Sequence, residues 1–223
     1  MGKMIELTAS DGFKLGAYKA EPKGPSKGGL VVCQEIFGVN HHIRNVADRF
    51  AEQGYTVIAP ALFDRAERGV DIGYTEATIK QGVDLRAKIK LEDTMKDVQA
   101  AVSALKGAGK VGVVGYCWGG SLAFLSATRL SGVAAAVGYY GGTIAAHADE
   151  KPKVPVMLHF GEKDHGIPMS DVAKVKAARP EVKIFTYQAD HGFSCDERGS
   201  FDKPSHEQAL ARTLAFFKEH LQG

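Results

Sequence analysis

The sequence contains no apolar run approaching the roughly 20 residues of a membrane-spanning helix, and its opening, MGKMIELTASDG, lacks the apolar stretch of a secretory leader. Glu6 departs from the pattern that would acylate Gly2. A soluble, cytoplasmic protein is the expectation. Cysteine is scarce: Cys33, Cys117 and Cys195 make an odd set with no C-x-x-C spacing, which argues against both a disulfide framework and a zinc site. Neither sign of charge dominates, with 28 Lys and Arg against 26 Asp and Glu. Nothing in that balance favours nucleic acid or an anionic membrane surface, so the expected partner is a small molecule; the sequence leaves the oligomeric state open, with a monomer favoured. Repeats and low-complexity tracts are absent as well, and residues 1–223 read as one α/β domain.

What is present is alternation of strand and helix signals. Ile5 to Ala9 and Phe13 to Ala20 flank the turn Ser10-Asp11-Gly12 and predict an N-terminal hairpin. Compact apolar strands follow at Gly29 to Cys33, Tyr55 to Ala59, Val111 to Val114, Val133 to Tyr139, Val154 to Phe160 and Val182 to Tyr187. Between them, helical periodicity covers His41 to Gln53, Tyr74 to Ile89, Leu91 to Leu105, about 118 to 129, Met169 to Ala178 and Ser205 to Leu221. The alternation predicts a largely parallel sheet covered on both faces.

In such a sheet, functional groups gather at the carboxyl ends of the strands. The segment Lys110 to Phe124, KVGVVGYCWGGSLAF, places Gly115-Tyr116-Cys117-Trp118-Gly119 between a strand and a helix. This is the G-x-S-x-G nucleophile elbow with cysteine at the nucleophile position. Its small flanking residues allow a sharp turn that exposes Cys117, and the backbone N–H of Trp118 would point at a reacting carbonyl oxygen. Glu35, Asp164 and His191 also follow strand signals directly. Cys117, Asp164 and His191 stand in the nucleophile, acid, histidine order of the α/β-hydrolase fold. His191 would act as the base, since an imidazole can take and return a proton near neutral pH. Asp164 would orient it, with Glu162 and Asp190 as rival carboxylates.

Five blocks together resemble the dienelactone hydrolase family, also called carboxymethylenebutenolidases: Gln34-Glu35-Ile36-Phe37-Gly38-Val39-Asn40, Gly115-Tyr-Cys-Trp-Gly-Gly120, Val137-Gly-Tyr-Tyr-Gly141, Gly161-Glu-Lys-Asp164 and His191-Gly-Phe193. The resemblance implies an α/β-hydrolase that opens enol-lactones through a Cys117, Asp164, His191 triad and an acyl-cysteine intermediate, with no cofactor and no metal. It also implies that Glu35 pairs with the resting thiol and takes part in its activation, and that Ile36 and Trp118 N–H groups form the oxyanion hole. Family members hold the substrate carboxylate with arginines. One such position falls at Cys195 here, with Arg198 three residues on; for the other, Arg86 is the candidate and Arg65 and Arg68 the alternatives. Tyr139 and Tyr140 end a strand on the active side and are candidates to line the pocket, Tyr139 foremost. His41 and His42 open a helix and read as capping or surface residues rather than ligands, and Cys33 as core packing. The competing reading is a non-hydrolytic small-molecule binding protein or sensor on the same fold.

Overall fold

The computed structural model describes residues 2–222. Its strands are β1 (Lys3–Thr8), β2 (Lys14–Ala20), β3 (Gly29–Cys33), β4 (Thr56–Pro60), β5 (Val111–Tyr116), β6 (Val133–Tyr139), β7 (Val156–Gly161) and β8 (Lys183–Tyr187). They form one sheet in the order β1-β2-β4-β3-β5-β6-β7-β8. The first two strands pair antiparallel with each other and with β4, and every pairing from β4 to β8 is parallel. All five residues of β3 and all six of β5 are buried, as expected for central strands covered on both faces, which have no reason to alternate polar with apolar. The predicted hairpin, parallel sheet and six helices are present. Their ends agree to within two residues, and Pro60 closes β4 from within, its missing N–H costing nothing at a strand end.

The helices are α1 (His41–Glu52), α2 (Glu76–Ala87), α3 (Leu91–Ala104), α4 (Trp118–Arg129), α5 (Met169–Ala178) and α6 (Lys203–Leu221). α1 and α6 share one face of the sheet, where the Phe50 and Phe217 rings meet edge to face at 6.5 Å. α3 and α4 touch each other on the opposite face. Strand β5 shows the two sides directly: a side chain at Gly112 would run into Phe217, whereas one at Gly115, three residues on, would run into the backbone of Gly119. α2 buries only Gly82 and Leu85, and it lies over the β3–α1 loop so closely that a Cβ on Gly82 would sit 1.9 Å from Ile36 O.

The polar segment 64–73, between β4 and α2, is anchored by ion pairs. Arg65 forks onto Asp97 with Nε–Oδ2 at 2.7 Å and Nη2–Oδ1 at 2.8 Å, and Arg68 donates to Lys14 O at 2.6 Å. Arg65 thus braces α3 and the N-terminal hairpin and Arg68 the hairpin, and neither alternative arginine hydrogen-bonds a residue of the β5–α4 turn.

The tightest part of the fold is the β5–α4 turn. An ideal Cβ at Gly115 would lie 1.9 Å from Gly119 O and 2.2 Å from its carbonyl carbon, both backbone atoms with no freedom to yield. Gly115→Ala is therefore expected to destabilise the fold by about 3 kcal/mol through overpacking. In a chain of this size that lowers Tm by roughly 6–12 °C, measurable by scanning calorimetry; an unchanged Tm would contradict the packing described.

Candidate active site

Cys117 caps α4 with φ 56° and ψ −118°, a left-handed φ that a non-glycine residue adopts only under constraint. The constraint is a set of backbone hydrogen bonds. Cys117 N–H donates to Tyr139 O at 3.0 Å, Gly119 N–H to Gln34 O at 3.0 Å, and Gly120 N–H to Cys117 O at 2.9 Å. The turn is thus tied to β6 on one side and to the loop after β3 on the other. Neither Trp118 N–H, at the start of α4, nor Ile36 N–H, in the β3–α1 loop, has a backbone acceptor among the described residues. The Trp118 ring stacks on Phe63 at 5.5 Å between centroids.

His191 follows β8 and meets Asp164, which follows β7, with Nδ1 2.7 Å from Oδ2. The other oxygen, Asp164 Oδ1, accepts from Gly166 N–H at 2.8 Å and Ile167 N–H at 3.2 Å. The rival carboxylates are committed elsewhere. Asp190 accepts from the backbone N–H of His191 at 2.6 Å, and Glu162 accepts from Thr186 and Gln188. Cys117 is the second group that acts on this imidazole and raises its pKa. Burial works to lower the His191 pKa, but the hydrogen bond to Asp164 and the influence of Cys117 and of the carboxylate charge outweigh it and raise the value to about 10.

Glu35 is 1% exposed and turns toward Arg198 and Tyr74. Arg198 Nη1 donates to Oε1 at 3.2 Å, and the Tyr74 hydroxyl donates to Oε2 at 3.3 Å. The resemblance pairs Glu35 with the thiol; the hydrogen bonds formed here go to the arginine and the tyrosine. Arg198 lies 5.7 Å from the ring centroids of both Phe37 and Tyr74. Burial pulls its pKa down, while the charge of Glu35 more than restores it.

Two candidate pocket residues sit elsewhere. Tyr139 is in the core, its hydroxyl 2.7 Å from Thr213 Oγ1 of α6 and its ring against His159. Tyr140, at φ 38°, is the one whose ring reaches His191, at 5.1 Å, because adjacent residues at a strand end point to opposite faces. Its buried hydroxyl has no hydrogen-bond partner. Arg86 is exposed and lines a groove of about 370 Å³ beyond Trp118, together with Leu91, Ser121, Thr143 and His147. It takes no part in the hydrogen bonds around Cys117.

The structure also gathers residues that local pattern did not mark. His42 is fully buried, its Nδ1 3.0 Å from Asp196 Oδ1, and Asp196 Oδ2 accepts from Arg49 at 2.5 Å. Cys195 is buried beside Tyr74 and Glu35; burial first, and the Glu35 charge second, push its thiol up to about 12. His42 stands 154 residues from Asp196 in the chain, which puts the contact beyond the reach of periodicity.

Against this geometry, the sequence profile of the Dienelactone hydrolase family matches residues 15–221. The chain belongs to the dienelactone hydrolase family. A carboxymethylenebutenolidase of Pseudomonas putida is 31% identical over 223 residues, covering 95% of this chain and 94% of that one, and one from Pseudomonas knackmussii matches to the same extent. The crystal structure of a candidate dienelactone hydrolase from Klebsiella pneumoniae superposes with a TM-score of 0.87 at 28% identity, over 99% of this chain and 100% of that chain. The sheet order and flanking helices are thus those of the family's α/β-hydrolase fold. No helix among the described residues is long and apolar enough to cross a membrane.

The raised pKa of His191 carries a sign. A histidine whose folded pKa lies above its ordinary 6.5 contributes stability that is fully present below pH 6.5 and is lost as pH rises through about 10. The His191 ring resonance in an NMR titration is therefore expected to show an imidazolium through pH 8 in the wild type. Asp164→Asn should bring its midpoint down and flatten the stability profile between those limits. A wild-type midpoint near 6.5 would refute the electrostatic assignment.

Proposed function

We propose that this chain hydrolyses activated carboxylic esters, enol-lactones foremost, through an acyl-cysteine intermediate on Cys117. The observation that carries the reading is the 2.7 Å Asp164 to His191 hydrogen bond, with Cys117 acting on the same imidazole from a strained elbow, in a family whose members include carboxymethylenebutenolidases. Three free cysteines accord with a reducing, cytoplasmic setting.

The proposed sequence begins with the Cys117 proton resting on His191, as an ion pair favoured by Asp164 and by the N-terminus of α4. Sulfur attacks the acyl carbon, and the carbonyl electrons move to oxygen, which faces Ile36 N–H and Trp118 N–H. The adduct collapses, the acyl C–O bond breaks, and the leaving oxygen takes the proton from His191. Water then attacks the thioester while His191 accepts its proton, releasing acid and thiol. Enolates leave more readily than alkoxides, so the thioester forms fastest from enol-lactones and aryl esters.

Arg198 is the proposed receiver of a carboxylate carried by the substrate, with Tyr140 as the neighbouring wall in place of Tyr139. A carboxylate arriving at Arg198 competes with Glu35, and Glu35, once displaced, becomes available to the thiol. The nearby Glu35 charge opposes the Cys117–His191 ion pair in the meantime.

Two measurements test this. Cys117→Ala should reduce p-nitrophenyl acetate hydrolysis by at least about 10³-fold, and the wild type should turn over cis- or trans-dienelactone faster than a simple ethyl ester. A variant as active as the wild type would favour chemistry without the cysteine. In the second, Glu35→Ala should speed iodoacetamide alkylation of Cys117 at neutral pH; identical pH–rate profiles would dismiss the role given to Glu35.

A further inference from the structure

Beside the elbow, Glu35 also belongs to a second cluster, whose other members, His42 and Cys195, ester hydrolysis leaves without a task. Glu35, His42 and Cys195 are 1%, 0% and 0% exposed, and a carboxylate oxygen, a ring nitrogen and the Sγ lie within 4.8 Å of one another. The hydrogen bonding of His42 decides what they can hold. A carboxylate only accepts, so the 3.0 Å contact between His42 Nδ1 and Asp196 Oδ1 places the ring hydrogen on Nδ1. Nε2 of the neutral ring is then a bare lone pair, and it is buried with no hydrogen-bond partner. An orphaned acceptor in a protein interior is costly. An imidazole backed by a carboxylate on one nitrogen and open on the other is the arrangement that orients a metal ligand. Arg49 fixes Asp196 from behind, so the ring is held before any ion arrives.

We propose that Glu35, His42 Nε2 and Cys195 Sγ bind a divalent transition-metal ion of the zinc class. One nitrogen, one thiolate sulfur and one carboxylate oxygen make a three-ligand set typical of that ion, with metal–ligand distances of about 2.0–2.3 Å, and they leave a fourth position open. Calcium and magnesium require oxygen donors and do not suit the cysteine. A second cluster, His42 with Asp196 and Glu197, is the poorer site. It would take Nδ1, which already carries the hydrogen, and would detach Asp196 from Arg49 and Glu197 from His41.

Binding involves no redox change: the metal–sulfur bond replaces the Cys195 S–H bond, the proton passes to solvent, and Glu35 exchanges Arg198 for the ion. The site is assembled from the β3–α1 loop, the first turn of α1 and the segment after His191, three stretches that no sequence spacing joins. Occupancy would withhold Glu35 from the thiol and so slow hydrolysis; that consequence rests on the hydrolase reading, whereas binding does not.

The test uses Co²⁺ as probe and Cys117→Ser protein, which removes the other thiol near an imidazole and makes the readout independent of hydrolysis. One equivalent of Co²⁺ is expected to produce a thiolate-to-cobalt charge-transfer band in the near ultraviolet, reversed by Zn²⁺. Adding Cys195→Ser should abolish the band, and adding Asp196→Asn, which leaves all three ligands in place, should weaken Co²⁺ binding roughly 10–100-fold. Thermal melting of each variant reports its folding; should Cys195→Ser unfold, His42→Gln takes its place and should cost the band in the same way. No band in Cys117→Ser, or a band that survives removal of both Cys195 and His42, would overturn the proposal.

Discussion

Helix α4 meets the carboxyl ends of β3 and β6 with backbone against backbone, and a Cβ at Gly119 would lie 2.2 Å from Cys33 O. That approach brings the Gly119 N–H onto Gln34 O and the Cys117 N–H onto Tyr139 O, and these two bonds hold Cys117 in its left-handed conformation. Three other features depend on it. The loop carrying Glu35 and Ile36 is fixed relative to the sulfur, the N-terminus of α4 opens toward the same point, and the β6 end turns Tyr140 across His191. Strain of about 1–3 kcal/mol at such a residue persists only where the surroundings over-determine it, and here they are mostly peptide groups, which have few alternative positions.

Around the elbow, two buried carboxylates are treated differently. Asp164 is held by two backbone N–H groups and an imidazole, and the main-chain donors have little freedom to turn away. Glu35 has a guanidinium and a phenol, both carried on side chains that can move. A buried ion pair of this second kind recovers little beyond its desolvation cost, and its partners are easily exchanged. The first carboxylate suits a fixed electrostatic support, and the second suits a group that changes partners.

The sheet, its hairpin and the position of the elbow were legible because each rests on local signals: continuous apolar runs for buried strands, helical periodicity between them, and glycines where the chain must turn. The meeting of Asp164 with His191 was legible from chain order and strand ends. What escaped was decided by orientation or by distant contacts. Tyr139 and Tyr140 are adjacent, and a one-residue difference in where the strand ends selects which of them faces His191. Arg65, Arg68 and Arg86 look alike in the sequence, yet Asp97 captures the first, the hairpin backbone holds the second, and a groove on the far side of Trp118 takes the third. The pattern Ile43, Val46, Ala47 and Phe50 gave the buried face of α1, but His42 is covered by the segment after His191, which no local window contains.

That same segment is attached to α1 by charge. Asp196 contacts both His42 and Arg49, and Glu197 contacts His41, with the Arg49 and His41 side chains open to water at 47% and 70% exposure. Attractions of this kind weaken as dissolved ions crowd around them, over a screening length of about 8 Å at physiological ionic strength. Arg198 lies one residue beyond Glu197, so the wall of the cleft that carries the guanidinium rests on a mooring that salt loosens, and the shape offered to an incoming ligand is coupled to the ionic composition of the surrounding fluid.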